Sequence, residues 1–264
     1  MKIIDIELFL GSCPFNPALS CDIDQVLEEL SARNIFVGFV SAFEAIISCD
    51  NIGVNQNLIK QILPYSNILL PVITIDPTRT GWEETIKMFA TDAVGIKLFP
   101  RYHRYDIIEP KLTECYEKLA TAGKLIFISL RCFDDRFTPS SISIMPEIES
   151  EKLISLARLY PEVMFIFTGT TITEAFKLLC AELKNIYVTT SFLEGDESFE
   201  MLVSQDRYRQ VLFGSYFPIF PLEAGIAKLK NQRISDIFRE NIYAENILKL
   251  TKMGYLLDSS KYKR

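Results

Sequence analysis

Eight short runs rich in β-branched and aromatic residues recur along the chain at intervals of 23 to 38 residues. The runs begin near Ile3, Ile35, Ile68, Val94, Leu125, Val163, Ile186 and Val211. Each interval accommodates one strand, one helix and two short loops, which together form a βα unit. Eight such units within about 250 residues are what a (β/α)8 TIM barrel requires. The spacing therefore predicts an α/β fold, with a parallel eight-stranded barrel inside a ring of helices.

The segments between the runs carry helical patterns. Apolar residues in the first segment follow the i, i+3, i+4, i+7 spacing of a helix face, at Ile23, Val26, Leu27 and Leu30. Thr171 and Glu174 have the spacing of a capping box, and Asp22 with Gln25 is a weaker example. A doubly wound open sheet is the main alternative. It is disfavoured because no glycine-rich turn follows the first run.

No shift in composition divides the chain, so we expect one domain over residues 1–250 and a tail over 251–264. Asp236–Lys249 is predicted as the last helix. The longest interval follows the fifth run and predicts a long loop at about Cys132–Pro146, which carries Asp134, Asp135 and Arg136. Long ordered loops are often functional, and an ordinary solvated loop fits this segment equally well.

Charge and cysteine content restrict the partners. The chain has 28 Lys and Arg against 34 Asp and Glu, a net charge of −6, so it lacks the basic excess of nucleic-acid-binding proteins. No apolar run approaches the ~20 residues of a spanning helix. The six cysteines form no C-x-x-C pair, as in the reduced thiols of a cytoplasmic protein. We expect no nucleic-acid or membrane partner, and a homo-oligomer is compatible with the sequence.

Strand alternation predicts which side chains line the barrel. In the first run Ile4, Ile6, Leu8 and Leu10 form an apolar set that would face the helices, which leaves Ile3, Asp5, Glu7 and Phe9 pointing inward. The same rule places Lys97, Ser129, Arg131, Thr168 and Tyr216 inward. These positions lie toward the C-terminal ends of the strands, where TIM barrels hold their active sites.

Three of these inward residues, Glu7, Lys97 and Arg131, are charged. An unpaired buried charge is very unfavourable, so we expect these groups to pair with one another or with a ligand. A purely structural Glu7–Lys97 ion pair is an equally good interpretation.

Four segments carry a resemblance to a known family. They are Ile4–Gly11 (IDIELFLG), Gly95–His103 (GIKLFPRYH), Asn185–Ser191 (NIYVTTS) and Leu212–Pro218 (LFGSYFP). In chain order they resemble strands one, four, seven and eight of the amidohydrolase superfamily, specifically its amidohydrolase-related family of metal-dependent TIM-barrel hydrolases. The first resembles a D-x-H-x-H-x-G strand without its histidines. The last resembles a G-S-D-x-P strand with Tyr216 in place of the aspartate.

The resemblance implies a metal centre built from four histidines and the strand-eight aspartate. Here the corresponding positions hold Glu7, Phe9, Ser129, Thr168 and Tyr216, and the only histidine of the chain is His103. Zinc sites use imidazole, thiolate or carboxylate donors, usually three or four of them. We therefore expect a divergent member that has no metal or other cofactor. Because the family includes members that work without metal, the resemblance is still compatible with a catalytic activity.

The leading interpretation is a barrel that binds a small anionic metabolite at its C-terminal mouth, with metal-independent hydrolase or lyase activity. The expected catalytic residues are Glu7, Lys97, His103 and Tyr216, and the expected substrate-binding residues are Arg101, Arg131, Asp135, Arg136 and Thr168. Lys97 and Arg131 would neutralise the anion, while His103 and Tyr216 would move protons.

Other interpretations stay open. A Schiff base at Lys97 would make the protein an aldolase-like or decarboxylase-like enzyme. Ser129 and Ser191 are weak candidate nucleophiles because neither has a G-x-S-x-G context. The alternative from a different class is a catalytically inactive barrel that is retained as a binding or interaction protein. A dry, closed Glu7–Lys97 pair would favour this alternative, whereas an open anion pocket at Arg131 or Arg101 would favour the leading interpretation.

Overall fold

Eight parallel strands pair in chain order, each with the next, in a computed structural model that describes residues 1–133, 144–195 and 198–251. The strands are β1 Ile3–Leu10, β2 Ile35–Ala42, β3 Leu69–Thr74, β4 Gly95–Leu98, β5 Leu125–Ser129, β6 Phe165–Thr168, β7 Ile186–Thr189 and β8 Val211–Leu212. Their first residues agree with the predicted starts to within two positions.

The sheet closes into a barrel where the chain leaves β8 and runs beside β1. The Ile6 amide donates to the Phe213 carbonyl at 3.1 Å, and the Tyr216 amide donates to the Glu7 carbonyl at 3.0 Å. A third bond joins the Phe9 amide to the Phe217 carbonyl at 2.9 Å. The predicted (β/α)8 TIM barrel is confirmed.

Helices connect the strands around the barrel. They are α1 Ile23–Ala32, α2 Asn51–Ile62, α3 Trp82–Phe89, α4 Pro100–His103, α5 Thr113–Ala122, α6 Ser150–Leu159, α7 Ile172–Cys180, α8 Ser198–Ser204, α9 Leu222–Lys230, α10 Asp236–Glu240 and α11 Asn246–Thr251. A π-helical turn, Asn241–Glu245, joins α10 to α11. Both predicted capping boxes form, at the start of α1 and of α7. Within the described ranges, no helix has the length and apolarity needed to cross a bilayer.

Two apolar layers form the core. The outer layer lies between strands and helices and includes Leu8, which reaches toward Leu30 of α1 across Gly38. The inner layer takes side chains from β1, β2, β3, β5, β6 and β8, including Phe39, Phe127 and Leu212. Side chains from so many strands meet only inside the barrel. Residues of α11 and of the π-helical turn pack against this inner layer.

The predicted orientation of β1 is wrong in its first half. Ile4 and Ile6 belong to the inner layer and Ile3 to the outer one, whereas Glu7 and Phe9 point inward as expected. The cause is an irregularity in the pairing of β1 with β2, between Asp5 and Leu8. A bulge of this kind inserts one residue and inverts the alternation beyond it.

Candidate functional site

Glu7 of β1 and Lys97 of β4 face each other at the centre of the barrel. The Lys97 Nζ lies 3.8 Å from the Glu7 Oε1, and the two side chains are 1% and 0% exposed. The ion pair that the sequence allowed is therefore present, and it lies out of reach of solvent. The two opposite charges cancel, so the centre of the barrel carries no net charge.

Aromatic rings enclose the Lys97 ammonium group. Its Nζ lies 4.4 Å from the Phe9 ring centre and 5.5 Å from the centres of Phe99 and Tyr216. Cations above ring faces are attracted to the ring quadrupole, most strongly where water is excluded. These contacts and Glu7 favour the protonated amine, while burial acts against it and lowers the pKa of Lys97.

Burial also raises the pKa of Glu7, and Lys97 opposes that shift. Nearby hydroxyl groups of Thr168, Ser191 and Thr189 also oppose the rise in the Glu7 pKa. The predicted binding residue Thr168 thus lies beside Glu7 inside the barrel. Its own Oγ1 is buried without a hydrogen-bond partner among the described residues.

Tyr216 is fully buried, and its hydroxyl group is held in place. The hydroxyl donates to the Arg131 carbonyl at 2.7 Å and lies 3.2 Å from the Ser129 Oγ. Burial raises the pKa of Tyr216 well above 10, so the phenol stays protonated at neutral pH. This environment opposes the loss of the phenol proton, which the predicted role of Tyr216 in moving protons would require.

A cluster of rings, here called the aromatic layer, lies at the C-terminal end of the barrel around Lys97. Its buried members are Phe9, Phe43, Phe99, Tyr102 and Tyr216, with Phe15, Phe133, Phe192 and Phe220 packed against them. The rings of Phe9 and Phe43 stack with their centres 4.7 Å apart. Cys132 also belongs to this cluster, and its amide donates to the Tyr102 hydroxyl at 2.9 Å.

Arg131 lies at the rim of the barrel, and its guanidinium group contacts two carboxylates. It binds Glu174 through both terminal nitrogens, at 2.7 and 2.8 Å, and Glu147 through one, at 2.9 Å. It also donates to the Gly169 carbonyl. Burial acts against the charged form, but the two carboxylates outweigh it and raise the pKa of Arg131. The guanidinium group is thus engaged by the protein itself.

Arg101 and His103, the other predicted residues after β4, also bind backbone carbonyls. Arg101 is 2% exposed, and its guanidinium group donates to the carbonyls of Met145 at 2.9 Å and Leu130 at 3.2 Å. The His103 Nε2 lies 3.1 Å from the Ala45 carbonyl, and burial lowers the pKa of the ring. The contacts described for His103 do not include Glu7 or Lys97. Asp134, Asp135 and Arg136 lie outside the described residues.

The residues at the centre do not fit the metal site that the fold family implies. Glu7 is the only carboxylate, imidazole or thiolate among the five corresponding positions, and a lysine ammonium group already lies beside it. Phe9 presents a ring to that ammonium group and cannot coordinate a metal. In the part of the chain that the structure describes, His, Cys, Asp and Glu side chains form no group of three suited to a metal.

The partners of Arg131 and of Tyr216 could not be predicted from the sequence. The sequence indicates Glu174 only as a helix-capping residue, and no pattern identifies Glu147 or the backbone carbonyl that accepts from Tyr216. The sequence likewise gives no indication that the Cys132 Sγ lies 3.6 Å from the Ser129 Oγ.

Comparison with known proteins supports the architecture. No protein-family model matches the sequence, and no curated protein is similar to it. Solved structures are similar over almost the whole chain. A probable 2-pyrone-4,6-dicarboxylic acid hydrolase from Acinetobacter baumannii, with citric acid bound, has a TM-score of 0.68 at 13% identity and covers 96% of this chain and 100% of its own.

Two decarboxylases are also similar. 5-Carboxyvanillate decarboxylase from Sphingomonas paucimobilis has a TM-score of 0.77 at 11% identity, over 95% of this chain and 99% of its own. Dihydroxybenzoic acid decarboxylase from Polaromonas sp. JS666, with manganese and the inhibitor 2-nitroresorcinol bound, has a TM-score of 0.75 at 13% identity, over 97% and 99%. The fold of this chain is thus a TIM barrel like those of these enzymes.

Proposed function

We propose that this barrel is a catalytically inactive relative of amidohydrolase-like enzymes that acts as a binding or interaction protein. The observation that carries the proposal is the Glu7–Lys97 pair, which lies 3.8 Å apart at no more than 1% exposure. A catalytic acid, base or nucleophile has to reach its substrate. Here the two central charges reach each other.

The other expected catalytic groups support the same conclusion. Tyr216 donates to a backbone carbonyl, and burial keeps its phenol protonated. His103 contacts the Ala45 carbonyl and not the central pair. Among the described residues, the guanidinium groups of Arg101 and Arg131 also contact other groups of the protein. The leading enzymatic interpretation from the sequence is therefore the less favoured one.

Activity assays test this proposal. The substrates are 2-pyrone-4,6-dicarboxylate, 5-carboxyvanillate and 2,6-dihydroxybenzoate, which the names of structural neighbours supply. Each substrate is assayed with and without added Mn²⁺ or Zn²⁺, and an active decarboxylase serves as the positive control. We expect no turnover above that of the double variant Lys97→Met/Glu7→Gln, which leaves no unpaired buried charge. Turnover that is lost in this folded double variant and kept in Asp24→Asn, which changes an exposed carboxylate of α1, would overturn the proposal.

A second candidate function is Schiff-base chemistry at Lys97, favoured by the lowered pKa of its buried amine. In this reaction the amine adds to a carbonyl, water leaves, and borohydride reduces the resulting imine to a stable secondary amine. We expect pyruvate with borohydride to leave Lys97 unmodified. A mass increment on Lys97 that is absent from Lys97→Met would establish the second function and contradict the first.

We also propose a reducing, cytoplasmic location. All six cysteines are free, and two of them, Cys49 and Cys180, are exposed. Exposed unpaired thiols are typical of compartments in which disulfides do not persist. Mass spectrometry of protein isolated under thiol-trapping conditions tests this, because every cysteine should carry the trapping group.

A further inference from the structure

We infer that Arg131 is a binding site for a small carboxylate, and that Glu147 occupies the site as an internal substitute for that ligand. The inference rests on the proposed binding function and names its ligand class. It depends on a difference between the two carboxylates that Arg131 holds.

Glu174 is the fixed partner of Arg131. Its two oxygens bind both terminal nitrogens of the guanidinium group, in the paired geometry that is strongest for arginine. The same carboxylate closes the capping box of α7, where it accepts from the Thr171 amide at 2.8 Å and the Thr171 hydroxyl at 3.0 Å. Its side chain is only 16% exposed. A ligand would have to disrupt the start of α7 to displace it.

Glu147 is the displaceable partner. It contributes one oxygen, 2.9 Å from one guanidinium nitrogen, and its side chain is 63% exposed. Among the described residues, Arg131 is the hydrogen-bond partner found for the Glu147 side chain. Exposed ion pairs contribute little to stability because water competes for both groups. Glu147 therefore covers the solvent side of a guanidinium group that is otherwise buried.

The charges favour exchange of one carboxylate for another. Arg131 carries one positive charge and contacts two carboxylates, so Glu147 is the surplus anion. An incoming ligand carboxylate that replaces it leaves the number of carboxylates bound to Arg131 unchanged. Arginine also suits this role, because its planar donors match a carboxylate.

Space for a ligand exists beside Glu147. A cleft of about 240 Å³ is lined by Glu147 together with Arg101, Tyr105, Met145 and Lys152. Lys152 binds Asp106 there, and buried Arg101 forms part of the wall. Arg131 is not among the lining residues, so a small carboxylate in this cleft lies beside Glu147 and contacts the guanidinium group only once Glu147 has moved away.

Isothermal titration with citrate at low ionic strength tests the inference on the full chain. We expect Glu147→Gln to bind citrate about fivefold more tightly than the wild type, because displacement of an exposed carboxylate is no longer required. The matched control is Glu151→Gln. It removes an equal charge from an exposed side chain in the first turn of α6 that does not line the cleft, and it should bind like the wild type.

The possible outcomes separate the two proposals. No citrate binding to Glu147→Gln overturns the inference, and so does equal tightening in both variants, which would show a general charge effect. Thermal unfolding of each variant verifies that it is folded. Turnover of a carboxylate substrate would contradict the proposed function and leave the Arg131 site standing.

Discussion

Lys97 and Glu7 depend on each other because neither charge reaches water. The ammonium group has three rings and one carboxylate within 5.5 Å. A buried pair of this kind adds little net stability, but one partner left alone is a strongly unfavourable buried charge. The pair is therefore best examined by changing each residue singly and then both together.

We expect Lys97→Met and Glu7→Gln each to lower the free energy of unfolding by about 3–5 kcal/mol. The double variant Lys97→Met/Glu7→Gln should lie within about 2 kcal/mol of the wild type, because no unpaired charge remains. Urea unfolding measures all four proteins. Additive single effects would show that the two groups do not interact.

Asp5 is the other buried carboxylate of β1, and it joins the barrel seam. Its Oδ1 accepts from the amides of Ser215 and Glu7, each at 3.0 Å, and its Oδ2 is buried without a hydrogen-bond partner in the described part of the chain. Burial raises the pKa of Asp5 from 3.8 to about 6, against the effect of these hydrogen bonds. The folded protein thus holds the Asp5 proton more tightly than the unfolded chain does.

The Asp5 contribution to stability consequently falls as the pH rises from about 4 through about 6. The loss amounts to about 3 kcal/mol at pH 7, at 1.36 kcal/mol per pKa unit. We expect Asp5→Asn, which retains the accepting oxygen, to be less sensitive to pH over this range. Urea midpoints at several pH values measure the difference. Asp24→Asn is the exposed control, and an equal change in that variant would contradict the assignment.

At the scale of elements, strand positions could be predicted because each strand is a local apolar run. The inward direction of Lys97 could be predicted for the same reason, since β4 pairs regularly with β3 and β5. The direction of the side chains in the first half of β1 could not be predicted in this way. The bulge of β1 is accompanied by a hydrogen bond that the Ser215 amide, 210 residues away, donates to the Asp5 carboxylate. No local pattern contains that contact.

The candidate site shows the same limit. Alternation predicts that Arg131 points into the barrel, but its guanidinium group binds carboxylates that lie 16 and 43 residues further along the chain. Whether an arginine meets a ligand or the protein's own carboxylate is decided by such distant contacts. The mismatch between the five metal-ligand positions and the residues that hold them here could be predicted without any contact, because it depends on residue types alone.

The capping box of α7 links an element end to the rim. Glu174 both caps the helix and holds Arg131, whereas Gln25 only caps α1. We expect Glu174→Gln to cost about 2–3 kcal/mol, because Arg131 loses the charged partner that binds both of its terminal nitrogens. Gln25→Ala, the matched capping variant, should cost less than about 1 kcal/mol. Equal costs by urea unfolding would show that the Arg131 contact contributes nothing.

At the scale of the whole molecule, the barrel interior is filled unevenly around its circumference. β4 contributes Gly95 to the inner layer, and the Phe127 ring of β5 occupies the space that a side chain there would take. A Cβ on Gly95 would lie 2.5 Å from the Phe127 Cε2 and 3.0 Å from the Leu125 carbonyl oxygen. The glycine and the ring are therefore complementary parts of one packed layer.

We expect Gly95→Ala to destabilise the barrel by about 1–3 kcal/mol through overpacking. Phe127→Leu makes room for the new methyl group, so the double variant should be more stable than the sum of the single effects implies. Phe165→Leu is the matched control, because Phe165 is fully buried in the outer layer. The destabilisation by Phe165→Leu should simply add to that by Gly95→Ala, and the double variant should show no recovery of stability. If Phe165→Leu rescues as well as Phe127→Leu does, the strain is not located inside the barrel, and the two-layer description of the core is wrong.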